Sequence, residues 1–373
     1  MLASKPPMGW NSWNTFAEKI NEKLIMEIAD IMAEKGYLGA GYEYVIIDDC
    51  WALKERVDGK LVANPELFPH GMKYLSDYIH SKGLKFGMYS CAGVMTCAGY
   101  PSSYGYEFED AKQFAEWGVD YLKYDFCHFP ESANKENAYL TMSMALRNSG
   151  RDILFAACNW GHGNPSQWMR SRGAHTFRST GDIVDNAKSF TDIFRSQFNN
   201  IENSGCGFYN DMDMLIVGMN GKGHVGLGGC KNHEYLLHFA MWAFLGSPLI
   251  IGADIRNLDE ESEKILLNKG LISINQDSEC RPPFLIRENG KFFTMMKILS
   301  GGKFAFAIFN LNEESGWTQN ISVTFDDLGI HSNTPRKVKL TDAVTGEDLG
   351  IFKDGFITKV GVMECKICIG EII

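Results

Sequence analysis

Residues 121–127 read YLKYDFC, a short apolar run that carries Lys123 and Asp125 two positions apart. In an extended chain, residues i and i+2 point to the same face, so the two charged side chains stand side by side at the end of a strand. Such a pair is either a structural salt bridge or part of an active site, and the pair alone does not decide between them. Its place in a series of similar runs indicates the fold.

The run is the fourth of eight short β-branched or aromatic runs before residue 280. They cover residues 8–10, 44–48, 84–89, 120–125, 153–158, 175–178, 213–217 and 248–251. Helical patterns lie between them, with apolar residues at three and four spacing, and the clearest are 20–36, 72–83 and 232–245. Eight alternations of strand and helix predict a (β/α)₈ TIM barrel.

The pattern changes after the Pro282-Pro283 break. Short alternating runs follow without helices between them, namely KFFTMMKI, KFAFAIFNL, ISVTF, RKVKL and FITKVGVMECKICI. Runs of this kind predict an antiparallel β-sandwich. We therefore expect a catalytic barrel over residues 1–280 and a C-terminal β domain over residues 281–373.

The chain is acidic, with 36 basic and 46 acidic residues and a formal charge of -10. This balance disfavours nucleic acid and anionic membranes as partners and is compatible with a neutral ligand. No segment has the length and apolarity of a membrane span or a signal peptide, so a cytoplasmic protein is expected unless a leader has been trimmed. Whether the chain forms a homo-oligomer stays open.

Ten cysteines are scattered along the chain, and one C-x-x-C pair occurs, at Cys365 and Cys368. A zinc site needs more ligands than this pair supplies, and no H-E-x-x-H motif is present. We expect no metal and no cofactor. Without an export signal, most of the thiols are expected to be free.

Polar or aromatic residues follow seven of the eight predicted strands. They are Trp13, Asp48, Asp49, Tyr89, Lys123, Asp125, Asn159, Trp160, Arg178, Asp182, Asp211 and Asp213. Each one alone is better explained as a helix or turn cap or as a core residue. In a barrel, however, the active site lies at the carboxyl ends of the strands, so together they predict a site.

Two carboxylates, a lysine and several aromatic rings suit glycoside hydrolysis. A retaining glycosidase needs a nucleophilic carboxylate and a carboxylic acid about 5–5.5 Å apart. Asp125 would be the nucleophile, with Lys123 favouring its ionised form, and Asp182 would be the acid, with Arg178 nearby orienting the substrate. Asp48 and Asp49 could hold a pair of sugar hydroxyls.

Two interpretations compete with this one. The run GKGHVG at 221–226 matches a dinucleotide-binding pattern, but no acidic residue lies about 20 positions further on, and the preceding strand is the seventh instead of the first. We interpret it as a flexible loop. A non-catalytic sugar-binding protein is the other alternative, and the presence of both Asp125 and Asp182 argues against it.

Several motifs together resemble glycoside hydrolase family 27, the α-galactosidases and α-N-acetylgalactosaminidases. They are MGWNSWNTF, IIDDCW, the long segment FGMYSCAGVMTCAGYPSSYGYEFEDAKQFAEWGVDYLKYDFC, FRSTGD, YNDMDMLIVG, MWAFLGSPLIIGADIR and ISINQD. The resemblance extends through nearly the whole barrel and into the C-terminal domain. It implies retaining hydrolysis of terminal α-galactosyl groups through a covalent intermediate, without a cofactor.

The resemblance also implies roles for single residues. Asp125 matches the nucleophile and Asp182 the acid/base, while Asp48 and Asp49 match a clamp on the galactose 4- and 6-hydroxyls. The other residues that match sugar contacts are Trp13, Tyr89, Cys97, Lys123, Arg178 and Asp213, and Cys97 and Cys127 match a disulfide beside the site.

The resemblance does not fully define which terminal sugar is released. The fifth strand ends in Asn159 and Trp160, where animal α-galactosidases carry a glutamate, so specificity at the sugar 2-position stays open. An α-N-acetylgalactosaminidase is one alternative, and a β-L-arabinopyranosidase is another. The presence of Asp49 favours galactose, and the natural leaving group is not defined.

Overall fold

The computed structural model describes residues 2–314, 319–331 and 333–373. Its first part is an eight-stranded parallel sheet curled into a barrel. The strands are β1 Met8–Asn11, β2 Tyr44–Ile46, β3 Lys85–Cys91, β4 Tyr121–Asp125, β5 Leu154–Cys158, β6 Thr176–Arg178, β7 Tyr209–Asp211 and β8 Leu249–Ile251. Their spatial order is β7-β6-β5-β4-β3-β2-β1-β8, as expected when each strand is added beside the previous one.

The seventh strand lies earlier in the chain than the sequence predicts. It covers Tyr209–Asp211, so the strand predicted at 213–217 is wrong. Asp213 has a φ of 81°, which interrupts an extended backbone just before the buried apolar residues that follow. Leu215 instead closes the barrel, because its amide donates to Ile250 O at 2.7 Å and its carbonyl accepts from Gly252 N at 2.9 Å.

Helices surround the sheet. They are α1 Trp13–Phe16, α2 Glu22–Glu34, α3 Tyr37–Ala40, α4 Gly71–Ser81, α5 Glu107–Trp117, α6 Lys135–Asn148, α7 Ala187–Ser196, α8 Asn232–Leu245, α9 Glu260–Leu266 and α10 Lys269–Asn275. The predicted helices at 20–36, 72–83 and 232–245 correspond to α2, α4 and α8. Asparagine caps explain four of the helix starts; for example, Asn21 accepts from Leu24 N and Asn186 accepts from Ser189 N.

Helix α8 differs from the others because it is apolar around most of its circumference. Nearly all of its side chains are buried, since the helix packs against the barrel on one side and the C-terminal domain on the other. A helix with both faces covered does not need an amphipathic pattern. Helix α8 therefore ties the two parts of the protein together.

The C-terminal part is an antiparallel β domain. Its strands are β9 Phe284–Asn289, β10 Phe292–Ile298, β11 Lys303–Asn310, β12 Gln319–Thr324, β13 Val338–Asp342, β14 Asp348–Phe352, β15 Gly355–Val360 and β16 Glu364–Ile372. Six form one sheet, in the order β14-β13-β16-β11-β10-β9, and β12 pairs with β15 in a second sheet. The sequence did not predict β9 and β14, and the single run predicted over 356–369 is two strands.

The two sheets of this domain enclose a core of their own, formed by residues such as Phe306, Val323, Leu340 and Phe356. The predicted sandwich is therefore confirmed. The boundary predicted at residues 280 and 281 falls between α10 and β9 and stays a prediction. Among the described residues, the helices are all too short or too polar to cross a membrane.

Candidate active site

A cavity lies at the carboxyl ends of the barrel strands, open to solvent. It is lined by Trp13, Asn14, Asp48, Asp49, Tyr89, Cys97, Lys123, Asp125, Cys158, Trp160, Arg178, Asp182, Asp213, Met214 and Val225. The predicted site residues after the strands are thus brought together from strands far apart in the sequence, with the exceptions of Asn159 and Asp211. Asp211 ends β7, and its Oδ1 accepts from Asp213 N at 2.9 Å.

Asp125 is the last residue of β4 and is buried. Its Oδ1 accepts a hydrogen bond from Phe126 N at 2.9 Å, and its Oδ2 accepts one from the Tyr89 hydroxyl at 3.2 Å. Burial raises the pKa of Asp125, and the nearby Lys123 ammonium opposes that effect. The carboxylate is therefore fixed in orientation by two donors at the floor of the cavity.

Lys123 pairs directly with Asp48, not with its neighbour Asp125. Its Nζ lies 2.8 Å from Asp48 Oδ2, and the same oxygen accepts from Asn11 Nδ2 at 2.8 Å. Burial by itself would lower the pKa of Lys123, but the carboxylates of Asp48 and Asp125 raise it well above its usual value. The lysine thus stays charged and supports both carboxylates.

Asp49 follows Asp48 in the turn after β2, where Cys50 has a φ of 75°. Its Oδ2 accepts from Ala98 N at 2.9 Å, and its Oδ1 accepts from Cys50 N at 2.7 Å. Burial raises the pKa of Asp49 in spite of these two amide donors. The turn therefore presents two adjacent carboxyl groups to one side of the cavity.

Arg178, at the end of β6, connects two carboxylates of unequal exposure. Its Nη2 donates to Asp182 Oδ1 at 2.9 Å and also to Asp213 Oδ2. The Asp182 side chain is 70% exposed, whereas that of Asp213 is 4% exposed. Asp213 also accepts from the amides of Ile183 and Met214, both at 2.7 Å. The Asp182 carboxylate is therefore open to solvent, while the buried Asp213 carboxylate fixes the position of Arg178.

Burial raises the pKa of Asp213 to about 6, against the lowering effect of Arg178. The left-handed backbone at this residue, with its φ of 81°, is unusual for a side chain other than glycine. Trp242 Nε1 donates to the Asp213 carbonyl at 2.7 Å and helps to hold this conformation. Strained backbone of this kind often accompanies a functional site.

Cys97 and Cys127 form a disulfide beside Asp125, with their Cα atoms 5.0 Å apart. The sulfur of Cys97 lies 3.6 Å from Asp125 Oδ2 and 3.3 Å from the Tyr89 hydroxyl oxygen. In the described part of the chain, these two cysteines and Asp125 form the one group close enough to ligate a metal. Because bridged sulfurs are not thiolates, this group offers a metal a single carboxylate.

The end of β5 contributes one exposed and one buried residue. Trp160 has a φ of 55°, and its side chain is 37% exposed at the rim of the cavity, edge-on to Phe126. Asn159 is fully buried, and its Nδ2 donates to His162 O at 2.8 Å. Its Oδ1 has no hydrogen-bond partner among the residues that the structure describes. Asn159 therefore lies behind the cavity wall.

Sequence reasoning missed several residues that shape the site. Asn11, the last residue of β1, donates from its Nδ2 to the Asp48 carboxylate at 2.8 Å. The hydroxyl oxygen of Ser12, the next residue, accepts from the Asp48 amide at 3.0 Å. Asn14, Met214 and Val225 line the cavity without a charge that would draw attention to them. The polar residues directly after β1 were a usable signal, whereas Met214 and Val225 gave none.

The sequence matches the models of a known protein family over both parts of the chain. The sequence model of the family described as "Alpha galactosidase A" matches residues 5–277, and the "Alpha galactosidase C-terminal beta sandwich domain" matches residues 290–367. The chain belongs to the α-galactosidase family. The protein is therefore a glycoside hydrolase, as the sequence predicts.

Individual relatives agree with the family assignment. The chain is 42% identical to "Alpha-galactosidase 2" of Arabidopsis thaliana over 334 residues, which is 89% of this chain and 81% of that protein. The crystal structure of α-galactosidase I from Mortierella vinacea has a TM-score of 0.92 at 33% identity, covering 99% of this chain and 97% of that one. The α-galactosidase of Saccharomyces cerevisiae with raffinose has a TM-score of 0.89 at 27% identity, covering 100% and 98%.

Proposed function

We propose that the protein is an exo-acting, retaining α-galactosidase that releases terminal α-linked galactose from oligosaccharides or glycoconjugates. The observation that carries the proposal is that Asp125 and Asp182 line the same cavity as the adjacent pair Asp48 and Asp49. The first two supply the chemistry, and the second two supply recognition of hydroxyl groups. The named activity of the relatives supports the choice of galactose.

In the first step of the proposed reaction, the carboxylate of Asp125 attacks the anomeric carbon of the galactosyl group. The bond to the leaving-group oxygen breaks as Asp182 donates a proton to that oxygen. The product of this step is a covalent galactosyl ester on Asp125. In the second step, water attacks the same carbon while Asp182 accepts its proton, and the ester bond to Asp125 breaks, which frees the carboxylate and restores the starting configuration.

The surroundings of the two acids suit these roles. The Asp125 carboxylate accepts hydrogen bonds from the Phe126 amide and the Tyr89 hydroxyl, so it is already oriented before substrate binds. Asp182 is exposed and bonded to Arg178, so the water molecule of the second step can reach it. The Lys123 charge supports the ionised state that a nucleophile requires.

Sugar recognition rests on the clamp after β2. The carboxylates of Asp48 and Asp49 are proposed to accept hydrogen bonds from the galactose 4- and 6-hydroxyls, with Lys123 as a further donor. Trp13 and Trp160 supply aromatic surface against which a sugar ring can pack. A pentose without the 6-hydroxymethyl group would leave part of this clamp unused, which favours galactose over arabinose.

Hydrolysis of a panel of nitrophenyl glycosides tests the proposal. The substrates are the α-galactoside, the α-N-acetylgalactosaminide and the β-L-arabinopyranoside, and we expect the highest kcat/KM for the α-galactoside. Proton NMR during the reaction should show the α-anomer of galactose first. No turnover of any α-galactoside would overturn the function, and release of the β-anomer would overturn the retaining mechanism.

The compartment and the assembly state remain separate predictions. The sequence favours the cytoplasm, but the disulfide between Cys97 and Cys127 weighs against it, because structural disulfides are rare there. Alkylation of free thiols in freshly lysed native cells, followed by mass spectrometry, would show whether the bridge is present. The mass measured by analytical ultracentrifugation would show whether the protein forms a homo-oligomer.

A further inference from the structure

The glycine loop, defined here as residues 220–230, is the segment whose pattern the sequence analysis rejected as a dinucleotide site. It connects β7 to α8 at the same end of the barrel as the active-site cavity. Val225 of this loop lines the cavity, and the His224 ring lies edge-on to the Trp13 ring with centroids 5.3 Å apart. The loop is thus a wall of the active site.

The loop is fastened to the segment after β1. Val225 N donates to Asn14 O at 3.0 Å, and His224 N donates to Thr15 O at 3.1 Å. A side chain at Gly223 would place its Cβ 2.8 Å from Thr15 Cα, and this glycine has a φ of 83°. Only glycine allows this close approach of the two backbones.

The loop is also fastened to the segment after β6, which carries Asp182. Three residues beyond Asp182, the amide of Asp185 donates to Val225 O at 2.9 Å, and its carbonyl accepts from Gly229 N at 3.0 Å. The Asp185 carboxylate accepts from Gly221 N at 2.7 Å. One residue thus contacts the glycine loop at three points.

Tyr235, on α8, completes this network. Its hydroxyl donates to Asp185 Oδ1 at 2.9 Å and accepts from Asn220 N at 2.7 Å and from Cys230 N at 3.3 Å. The two amides belong to the first and last residues of the glycine loop. Asp185 is fully buried, so its carboxylate depends on these donors for its stability.

We propose that the glycine loop is the leaving-group wall of the active site, contacting the first sugar of the leaving group, with Asp185 as the positioning residue that holds it beside Asp182. This inference rests on the proposed function. A general acid must lie next to the leaving-group oxygen that it protonates, so the structure fastened to the Asp182 segment borders the leaving group.

The side chains of the wall suit a neutral hexosyl unit. Val225 is half-buried and offers an apolar edge, while the exposed His224 offers ring nitrogens that can hydrogen-bond to hydroxyls. Trp13 lies beside His224 and provides an aromatic surface. Lys222 is the one residue of the loop with a fixed charge, and it is exposed and does not line the cavity. The cavity side of the wall therefore matches an uncharged leaving group such as the sucrose unit of raffinose.

The test compares a demanding leaving group with an undemanding one. Raffinose releases a sugar alkoxide, which needs both protonation and positioning, whereas nitrophenyl α-galactoside releases a phenolate that needs little help. For Asp185→Asn and Tyr235→Phe, we expect kcat/KM on raffinose to fall about tenfold or more, and on the nitrophenyl substrate to stay within about threefold. Val225→Ala should raise KM for raffinose selectively.

Asp342→Asn is the matched control, because Asp342 is a buried aspartate in the C-terminal domain that accepts from the amides of Val344 and Thr345. It should lower thermal stability without changing the ratio of the two activities.

Equal losses on both substrates in the three test variants would overturn the inference. No turnover of either substrate by the wild-type enzyme would instead overturn the proposed function. If Asp185→Asn fails to fold, Tyr235→Phe and Val225→Ala still decide the question.

Discussion

Lys123 Nζ lies 2.8 Å from Asp48 Oδ2, so a lysine at the end of β4 is paired with a carboxylate that follows β2. Burial raises the pKa of Asp125, which lies two residues further along β4, and the same ammonium opposes that rise. One charge therefore supports both the proposed sugar clamp and the proposed nucleophile. Breaking a buried pair of this kind leaves an uncompensated charge, which is costly.

Lys123→Met should lower kcat/KM for nitrophenyl α-galactoside by about 10³-fold, because the clamp and the nucleophile lose their shared positive charge. The pH profile should change as well. Burial raises the pKa of Asp125 and Lys123 opposes it, so without the lysine the pKa rises further and activity begins at higher pH. Lys366→Met, which removes the partner of Asp342 in the C-terminal domain, is the control. An acidic limb of the profile that does not move would contradict the electrostatic role.

Asp125→Ala should abolish turnover, because no covalent galactosyl ester can form. Azide is expected to restore activity by attacking the anomeric carbon directly, and the product should be the β-galactosyl azide, with inverted configuration. NMR of that product and a thermal melt of the variant are the measurements. Wild-type turnover in the folded variant would remove Asp125 from the role.

Asp182→Ala should affect poor leaving groups far more than good ones. Hydrolysis of raffinose should fall by about 10³-fold, since protonation of the leaving oxygen is lost, while the first step with nitrophenyl α-galactoside stays fast. Added azide should accelerate the second step and give the α-azide, with retained configuration. Equal losses on the two substrates would assign Asp182 to binding instead of proton transfer.

Reduction of the Cys97 to Cys127 disulfide should lower the free energy of unfolding by about 3–4 kcal/mol, estimated from a loop closure of 30 residues. Turnover should also fall, because the Cys97 sulfur packs 3.6 Å from Asp125 Oδ2. Urea unfolding and kinetics with and without reductant measure both effects. In the double variant Cys97→Ser with Cys127→Ser, reductant should change neither the unfolding free energy nor turnover. If reductant changes neither quantity in the wild-type protein, the disulfide is absent.

His238 should contribute to loss of stability in acid. It is fully buried on α8, its Nε2 accepts from Ile216 N at 3.2 Å, and burial lowers its pKa to about 3. The unfolded chain binds a proton with a pKa of about 6.5, so it binds more protons than the folded state below that pH. Stability is therefore complete above about pH 6.5 and falls as the pH drops towards 3.

At pH 5 this residue should account for about 2 kcal/mol of the stability lost relative to pH 7.5. His238→Gln keeps an acceptor for the Ile216 amide but does not titrate, so its unfolding free energy should depend less on pH. Urea unfolding of both proteins at the two pH values measures the difference. An identical pH dependence in the variant would contradict the assignment.

Much of the barrel could be predicted because its signals are local. Strands β1 to β6 and β8 were predicted from short apolar runs, and polar side chains directly after them marked the cavity. Strand β7 was missed because its residues, Tyr209–Asp211, include two polar ones, while the apolar run after it looked more like a strand. In that run only Leu215 pairs with β8, since the left-handed backbone at Asp213 separates it from β7.

Periodicity along the chain was thus enough to establish the barrel, the β domain and the side of the barrel on which Asp125 and Asp182 lie. It could not show that Lys123 pairs with a residue 75 positions away, or that Asp185 fastens the glycine loop through Tyr235. Alternation places neighbours on one strand face, whereas contacts between separate loops arise only when the barrel closes. Only the tertiary structure therefore decided which residues form ion pairs and which loops are in contact.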